Sequence, residues 1–239
     1  MSAEPAYYAR TGTRPGDYKA LLHPPYTAWH LSYVLLGAGL APRMSWGVLL
    51  LVLGAFFGGT GIAAHALDEL NGRPLGTAFT DRQLKIMAAS GFALAFACAV
   101  WGAFLVSAWI LVFAAAGALL VAAYSLEWWG GLIHTDAGFS LAWGAFPVII
   151  SYWAQTETLS LTAVFAAAGA AWLSLAQRRL STPARFVRRK TLSAEVSFET
   201  RDEPEAWDRR KLLDGWERPL RALSYASIAL GLALVFRHL

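Results

Sequence analysis

Seven stretches of this chain are apolar for sixteen residues or more, near 26–41, 46–67, 83–106, 108–128, 137–155, 159–177 and 218–236. No other feature limits the fold so strongly. An apolar run of about 18 residues with few charges is long enough to cross a bilayer as a helix. Only 15% of the residues are charged, against about a quarter in soluble domains. The runs lack the two-residue alternation of barrel strands. The expected fold is therefore all-α, a polytopic transmembrane helical bundle of about seven spans. The single cysteine, Cys98, lies inside an apolar run. It reads as a small buried hydrophobe, and no disulfide framework can form.

The connections set an expected orientation. The first 25 residues lack the apolar core of a signal peptide and read as a short ordered or surface-lying arm. The arm carries Arg10, Arg14 and Lys19, the loop after the second span carries Arg73, Arg82 and Lys85, and residues 178–217 carry many more basic groups. The turns near 107 and 156–158 carry none, and that at 42–45 only Arg43. Basic loops stay on the cytoplasmic side, so the N-terminus is expected inside, in a bacterial inner membrane. The organisation read from this pattern is an arm over 1–25, a six-helix membrane domain over 26–177, a basic then mixed-charge cytoplasmic linker over 178–217, and a last helix over 218–239. Part of the linker reads either as a surface amphipathic helix or as plain solvated chain.

Two polar motifs interrupt the apolar pattern. The second span ends "HALDELNGRPLG", which sets His65, Asp68 and Glu69 three and four residues apart, on one helix face. The fourth ends "AAYSLEWWGGLIHTDAGF", with Tyr124, Glu127, His134 and Asp136, and Gly130-Gly131 is expected to break the helix there. Both motifs fall on the predicted cytoplasmic side, as do His23 and His30, so four of the five histidines gather at one face. Ionisable groups at membrane depth are costly and tend to line an interior or a wet cavity. Histidines with carboxylates suit a divalent metal, and carboxylates alone suit Mg²⁺. Bland roles stand beside these. Asp136 can cap the fifth helix next to Thr135, Glu69 can be a solvated loop residue, Arg73 can be a topology charge, and Tyr124 can be packing.

The layout resembles the UbiA-type membrane prenyltransferase superfamily. The second span leads through Asp68 and Glu69 into Gly72, Arg73, Pro74, Leu75 and Gly76, in the place of that family's first acidic motif. Tyr124, Ser125, Gly144 and Pro147 match its polar stretch after the fourth helix more loosely. The resemblance covers roughly 25–177 and implies an all-helical protein that binds an isoprenyl diphosphate through Mg²⁺. The chain departs from the family in two places. Its acids are adjacent rather than four apart, with His65 near the usual Asn. The second Asp-rich loop is replaced by the basic "LAQRRLSTPARFVRRK".

The leading expectation is a divergent, shortened, metal-dependent, prenyltransferase-like membrane enzyme. It would act on an isoprenoid or other lipid at the cytoplasmic face. His65 and His134 are the candidate catalytic groups, and Asp68, Glu69, Glu127 and Asp136 the candidate metal ligands. Arg73, His30, Tyr124 and Arg178 are the candidate substrate contacts. Mg²⁺ is the expected metal for a transferase. The alternatives are a lipid oxidoreductase with a two-metal centre of iron, manganese or zinc, and a non-catalytic lipid-binding or assembly subunit. Membrane lipid or isoprenoid is the expected partner, with no nucleic acid, and the sequence sets no oligomeric state.

Overall fold

The computed structural model describes residues 5–239. Residues 1–4 of the expected arm lie outside the described residues. Among the described residues, eight helices of nine residues or more and one small hairpin make up the architecture. They are α1 (Arg14–Leu22), α2 (Pro24–Gly39), α3 (Trp46–Leu70), α4 (Asp81–Leu105), α5 (Trp109–Ser125), α6 (Asp136–Thr156), α7 (Leu161–Lys190), β1 (Glu195–Phe198), β2 (Glu205–Asp208) and α8 (Arg209–Phe236).

Local chemistry sets the helix ends. Pro24 and Pro25 occupy the first turn of α2, where a missing N–H costs nothing and φ is already helical. Thr80 and Gln83 form a capping box at the start of α4, and Ser45, Thr135, Ser160 and Asp208 cap α3, α6, α7 and α8. α5 stops at Ser125, because Glu127, Trp129, Gly130 and Gly131 all have positive φ. The expected break at the glycine pair is therefore present, and it starts three residues earlier, at Glu127. The last two helices differ from expectation. The stretch 178–217, expected as a linker, is largely helical: α7 runs on to Lys190 and α8 begins at Arg209, with the β1–β2 hairpin between them.

Long helices α2 to α8 coincide with the seven apolar runs. Four of them are long and apolar enough to cross a membrane: Trp46–Leu70, Asp81–Leu105, Asp136–Thr156 and Arg209–Phe236. The outer surface is rich in large apolar side chains, among them Leu50, Trp101, Phe104, Phe165 and Trp172. That is how a bundle solvated by lipid is built, since lipid leaves no reason to hide them.

Small residues let the backbones approach. A Cβ on Gly58 would lie 2.5 Å from the Gly91 carbonyl oxygen, and one on Gly91 would lie 2.5 Å from that of Gly58. α3 and α4 therefore touch backbone to backbone, which glycine alone permits. Gly144 of α6 meets the Ala170 carbonyl of α7 in the same way, at 2.6 Å. At these contacts α3 and α6 both loosen into π-helical segments, Phe57–Ala64 and Ser140–Ala145. Such π-turns are frequent at functional sites, and both sit directly before the polar end of the bundle.

Candidate functional site

At that end, α2, the ends of α3 and α5, the start of α6, the second half of α7 and the start of α8 enclose a polar cavity of about 290 Å³. His23, His30, His65 and His134 all line it. The four histidines that the sequence placed at one face therefore share one space, and the rings of His23 and His65 lie 4.8 Å apart.

Three of the rings have a defined tautomer. His30 Nδ1 lies 3.1 Å from the Trp143 carbonyl, His65 Nδ1 lies 3.1 Å from that of Gly61, and His134 Nδ1 lies 3.1 Å from that of Tyr124. A carbonyl only accepts, so each ring donates from Nδ1, and its neutral form has the lone pair on Nε2. His23 pairs through Nδ1 with the Tyr8 hydroxyl. Desolvation, helped by His65 and by the Arg189 and Arg185 guanidiniums, holds His23 well below the usual imidazole range.

Acids and arginines face one another across the cavity. Asp68 and Glu127 line one wall, with Glu127 Oε1 3.7 Å from His134 Nδ1. Arg178, Arg185, Arg188 and Arg189 line the other, all from α7. Arg188 is paired with Glu217 of α8. Arg178 donates to the Tyr124 hydroxyl, whose ring stacks on His134 at 4.3 Å. Arg189 Nε donates to the Pro5 carbonyl at 3.1 Å, which fastens the N-terminal arm to the cavity wall. One buried polar atom on the lining, Gln177 Oε1, has no hydrogen-bond partner. Buried polar atoms are nearly always satisfied, so this space is shaped to be filled by something polar.

Of the expected site residues, His30, His65, Asp68, Tyr124, Glu127, His134 and Arg178 line the cavity; Glu69, Arg73 and Asp136 do not. Glu69 is fully buried on the opposite side of the helix end. Its carboxylate accepts from Leu75 N at 2.9 Å, Thr77 N at 2.8 Å and Thr77 Oγ1 at 2.9 Å. It is neither solvated nor turned toward His65 and Asp68. Successive helical residues diverge by about 100°, and here that step turns Glu69 to the loop after α3 while Asp68 lines the cavity. Arg73 is bound to Asp81 and to the Phe79 carbonyl. Asp136 is held by Arg178 at 2.9 Å and Arg179 at 3.3 Å, in the first turn of α6. The cavity also takes residues outside the expected set: His23, Gln177, Arg185, Arg188, Arg189 and Glu217. Their signal lay in spacing. Arg178, Ser181, Arg185 and Arg188 recur three and four apart, the mark of one helix face, in a stretch whose charge suggested a linker.

Beside this polar space runs an apolar groove between α3, α4, α5 and α6, lined by residues such as Val52, Phe56, Phe92, Ile110 and Phe146. Trp143 lines both spaces. Ala64 faces the polar cavity, while Thr60, one turn earlier on α3, faces the groove.

No sequence-family model and no curated protein sequence matches the chain. A solved structure does: a UbiA homologue from Archaeoglobus fulgidus bound to Cd²⁺, at a TM-score of 0.54 and 13% identity, covering 92% of this chain and 99% of that one. The fold is UbiA-like. At that identity the likeness speaks for the architecture, in agreement with the resemblance seen in the sequence.

A UbiA-like fold raises the question of a divalent metal, and the donor set answers it in part. Among the described residues, no group of three or more His, Cys, Asp or Glu side chains could hold a metal ion. A resident zinc, manganese or iron centre needs such a group, so the described residues do not fit a two-metal oxidoreductase. Mg²⁺ asks for less: one or two carboxylates, waters and the phosphates of a substrate. Asp68 and Glu127 on the cavity wall meet that requirement.

Proposed function

We propose that this protein is a prenyltransferase-like membrane enzyme whose substrate is an isoprenoid with a diphosphate head. The observation that carries this reading is that a polar, arginine- and histidine-lined cavity lies beside an apolar groove, with Trp143 on both linings. An amphiphile with an anionic head and a hydrocarbon tail matches both halves. Arg178, Arg185 and Arg189 supply positive charge where a diphosphate would gain negative charge on leaving. Asp68 and Glu127 would hold a Mg²⁺ that arrives with the diphosphate and neutralises its oxygens. Transfer breaks the allylic C–O bond, whose electron pair leaves with the diphosphate, and forms a bond from the acceptor's nucleophile to that carbon. The acceptor's proton needs a base, and Nε2 of His65 or His134 has the free lone pair to take it. His30 and Tyr124 shape the wall between head and tail.

We place the cavity at the cytoplasmic face of a bacterial inner membrane, with all seven long helices α2 to α8 spanning it. Support comes from the distribution of basic residues. The cavity end carries Arg178, Arg179, Arg185, Arg188, Arg189 and Lys190, whereas the far end carries Arg43 and Arg237.

The test is binding of farnesyl diphosphate to detergent-purified protein with Mg²⁺ and with EDTA. We expect binding in Mg²⁺ that falls roughly tenfold or more in Asp68→Asn and Glu127→Gln. Absence of farnesyl diphosphate binding to the wild type, or unchanged binding in both variants, overturns the proposal.

A further inference from the structure

We infer that this protein associates with a second copy of itself in the membrane. The contact joins the acidic β1–β2 hairpin of one copy to the basic flank where α1 meets the start of α4 on the other. The inference is independent of the proposed function.

The hairpin is an unfinished element. β1 and β2 pair antiparallel, with Val196 opposite Trp207 and Phe198 opposite Glu205. Side chains alternate across a strand, so Val196, Phe198 and Trp207 share one face. The rings of Phe198 and Trp207 meet edge to face at 5.3 Å. Yet Val196 is 41% exposed and Phe198 40%. The sheet has two strands, so among the described residues the outer edge of each is unpaired. A two-stranded hairpin is marginally stable by itself, and open edges beside apolar side chains invite a partner.

Charge selects that partner. Residues 195–208 hold six acids and one arginine, in a chain whose net charge is +4. An anionic lipid surface repels such a segment. Glu195, Glu199, Asp202 and Glu203 are exposed, and among the described residues none of them forms an ion pair.

The complementary surface lies on the same chain. α1 packs on the loop at 71–80 and the start of α4 through Leu21, Leu75, Phe79 and Leu84, and the Ala78 N–H donates to the Asp17 carboxylate at 3.2 Å. Around this small core Arg14, Lys19, Arg82 and Lys85 are exposed, and among the described residues none of them is paired with an acid. Asp81, the exposed acid beside them, is taken by Arg73. Tyr18 and Ile86 add exposed apolar surface there. Each surface thus combines apolar side chains with unpaired charge of one sign, and the signs are opposite. Both belong to the polar end of the bundle. The hairpin joins the arginine-bearing end of α7 to α8, and α1 adjoins the end of α3. Two copies inserted the same way present these surfaces on the same side of one bilayer, and each copy carries both halves of the contact.

The experiment measures energy transfer between donor- and acceptor-labelled protein in phosphatidylcholine vesicles. Wild type should show transfer above the level of random mixing, and salt should weaken it. A hairpin variant, Glu199→Lys with Asp202→Lys and Glu203→Lys, should associate roughly tenfold or more weakly. A flank variant, Arg14→Glu with Arg82→Glu and Lys85→Glu, should lose as much. All six side chains are exposed, so both variants should melt close to wild type. Mixing the two variants, or combining all six substitutions in one chain, should restore association, because opposite charges meet again. Phe198→Ser should weaken association and leave its salt dependence in place. Three results each overturn the inference: transfer at the random level for wild type, a loss in one variant or neither, and losses that neither mixing nor combination restores. A loss confined to the flank variant would assign the flank to lipid headgroups instead.

Discussion

Glu69→Gln and Glu69→Ala separate a structural acid from a metal ligand. The Glu69 carboxylate is buried and accepts three hydrogen bonds from the loop that follows α3, two from backbone N–H groups and one from a hydroxyl. Truncation to alanine leaves the Leu75 and Thr77 N–H groups without acceptors, at about 1–3 kcal/mol each. The Thr77 hydroxyl can rotate to another partner, so a total of about 3–5 kcal/mol is expected. For a chain of 239 residues, each kcal/mol moves the melting midpoint by about 2–4 °C. Glu69→Ala should thus melt about 6–20 °C below wild type, by circular dichroism in detergent. Glu69→Gln keeps one acceptor oxygen but turns an amide NH₂ toward a donor, and should lose about half as much. Folded Glu69→Gln should bind farnesyl diphosphate in Mg²⁺ within about threefold of wild type, because Glu69 does not line the cavity. A Glu69→Gln protein that melts like wild type yet loses Mg²⁺-dependent binding would refute this reasoning.

Two further outcomes concern the cavity. Arg178 and Arg179 grip the same Asp136, but only Arg178 lines the cavity. By calorimetry, Arg178→Gln should weaken inorganic pyrophosphate roughly tenfold, the worth of one charged hydrogen bond, and Arg179→Gln by less than about twofold; equal losses would count against the assigned wall. His23 has a depressed folded-state pKa, so below about pH 6.5 the unfolded chain binds its proton while the folded chain does not. Stability is then complete above that pH and falls as the pH drops, by at most about 1.4 kcal/mol per pH unit for this one group. His23→Asn, which suits the left-handed backbone there, should flatten the loss between pH 7 and pH 5, and parallel melting curves for the two proteins would contradict it.

Much of this was legible because membrane helices expose their logic in sequence. Apolar length marked the helices, and the interruptions at His65–Asp68 and Tyr124–His134 marked the polar end, since such groups are too costly to leave facing lipid. What misled was adjacency. Asp68 and Glu69 are neighbours in sequence, yet one faces the cavity and the other the loop at 71–79. Arg73 looked like an anion ligand, but the turn after Gly72 sends it to Asp81. The basic run 178–190 looked like a solvated linker by charge, whereas its three- and four-residue spacing was the better guide to the arginine wall.

The sequence by itself determined that the chain forms a helical bundle for a membrane and that its ionisable groups collect at one end. Both follow from the cost of placing polar groups and unsatisfied backbone in hydrocarbon, which is paid or avoided residue by residue along the chain. Only the tertiary structure decided which of those groups meet. Periodicity sets a residue's face relative to its own helix axis and says nothing of how that helix is rotated against the next. Here the rotation is set by backbone contacts at Gly58 with Gly91 and at Gly144 with Ala170. With the helices so placed, His65 and Asp68 share one cavity with Arg178 and Arg185.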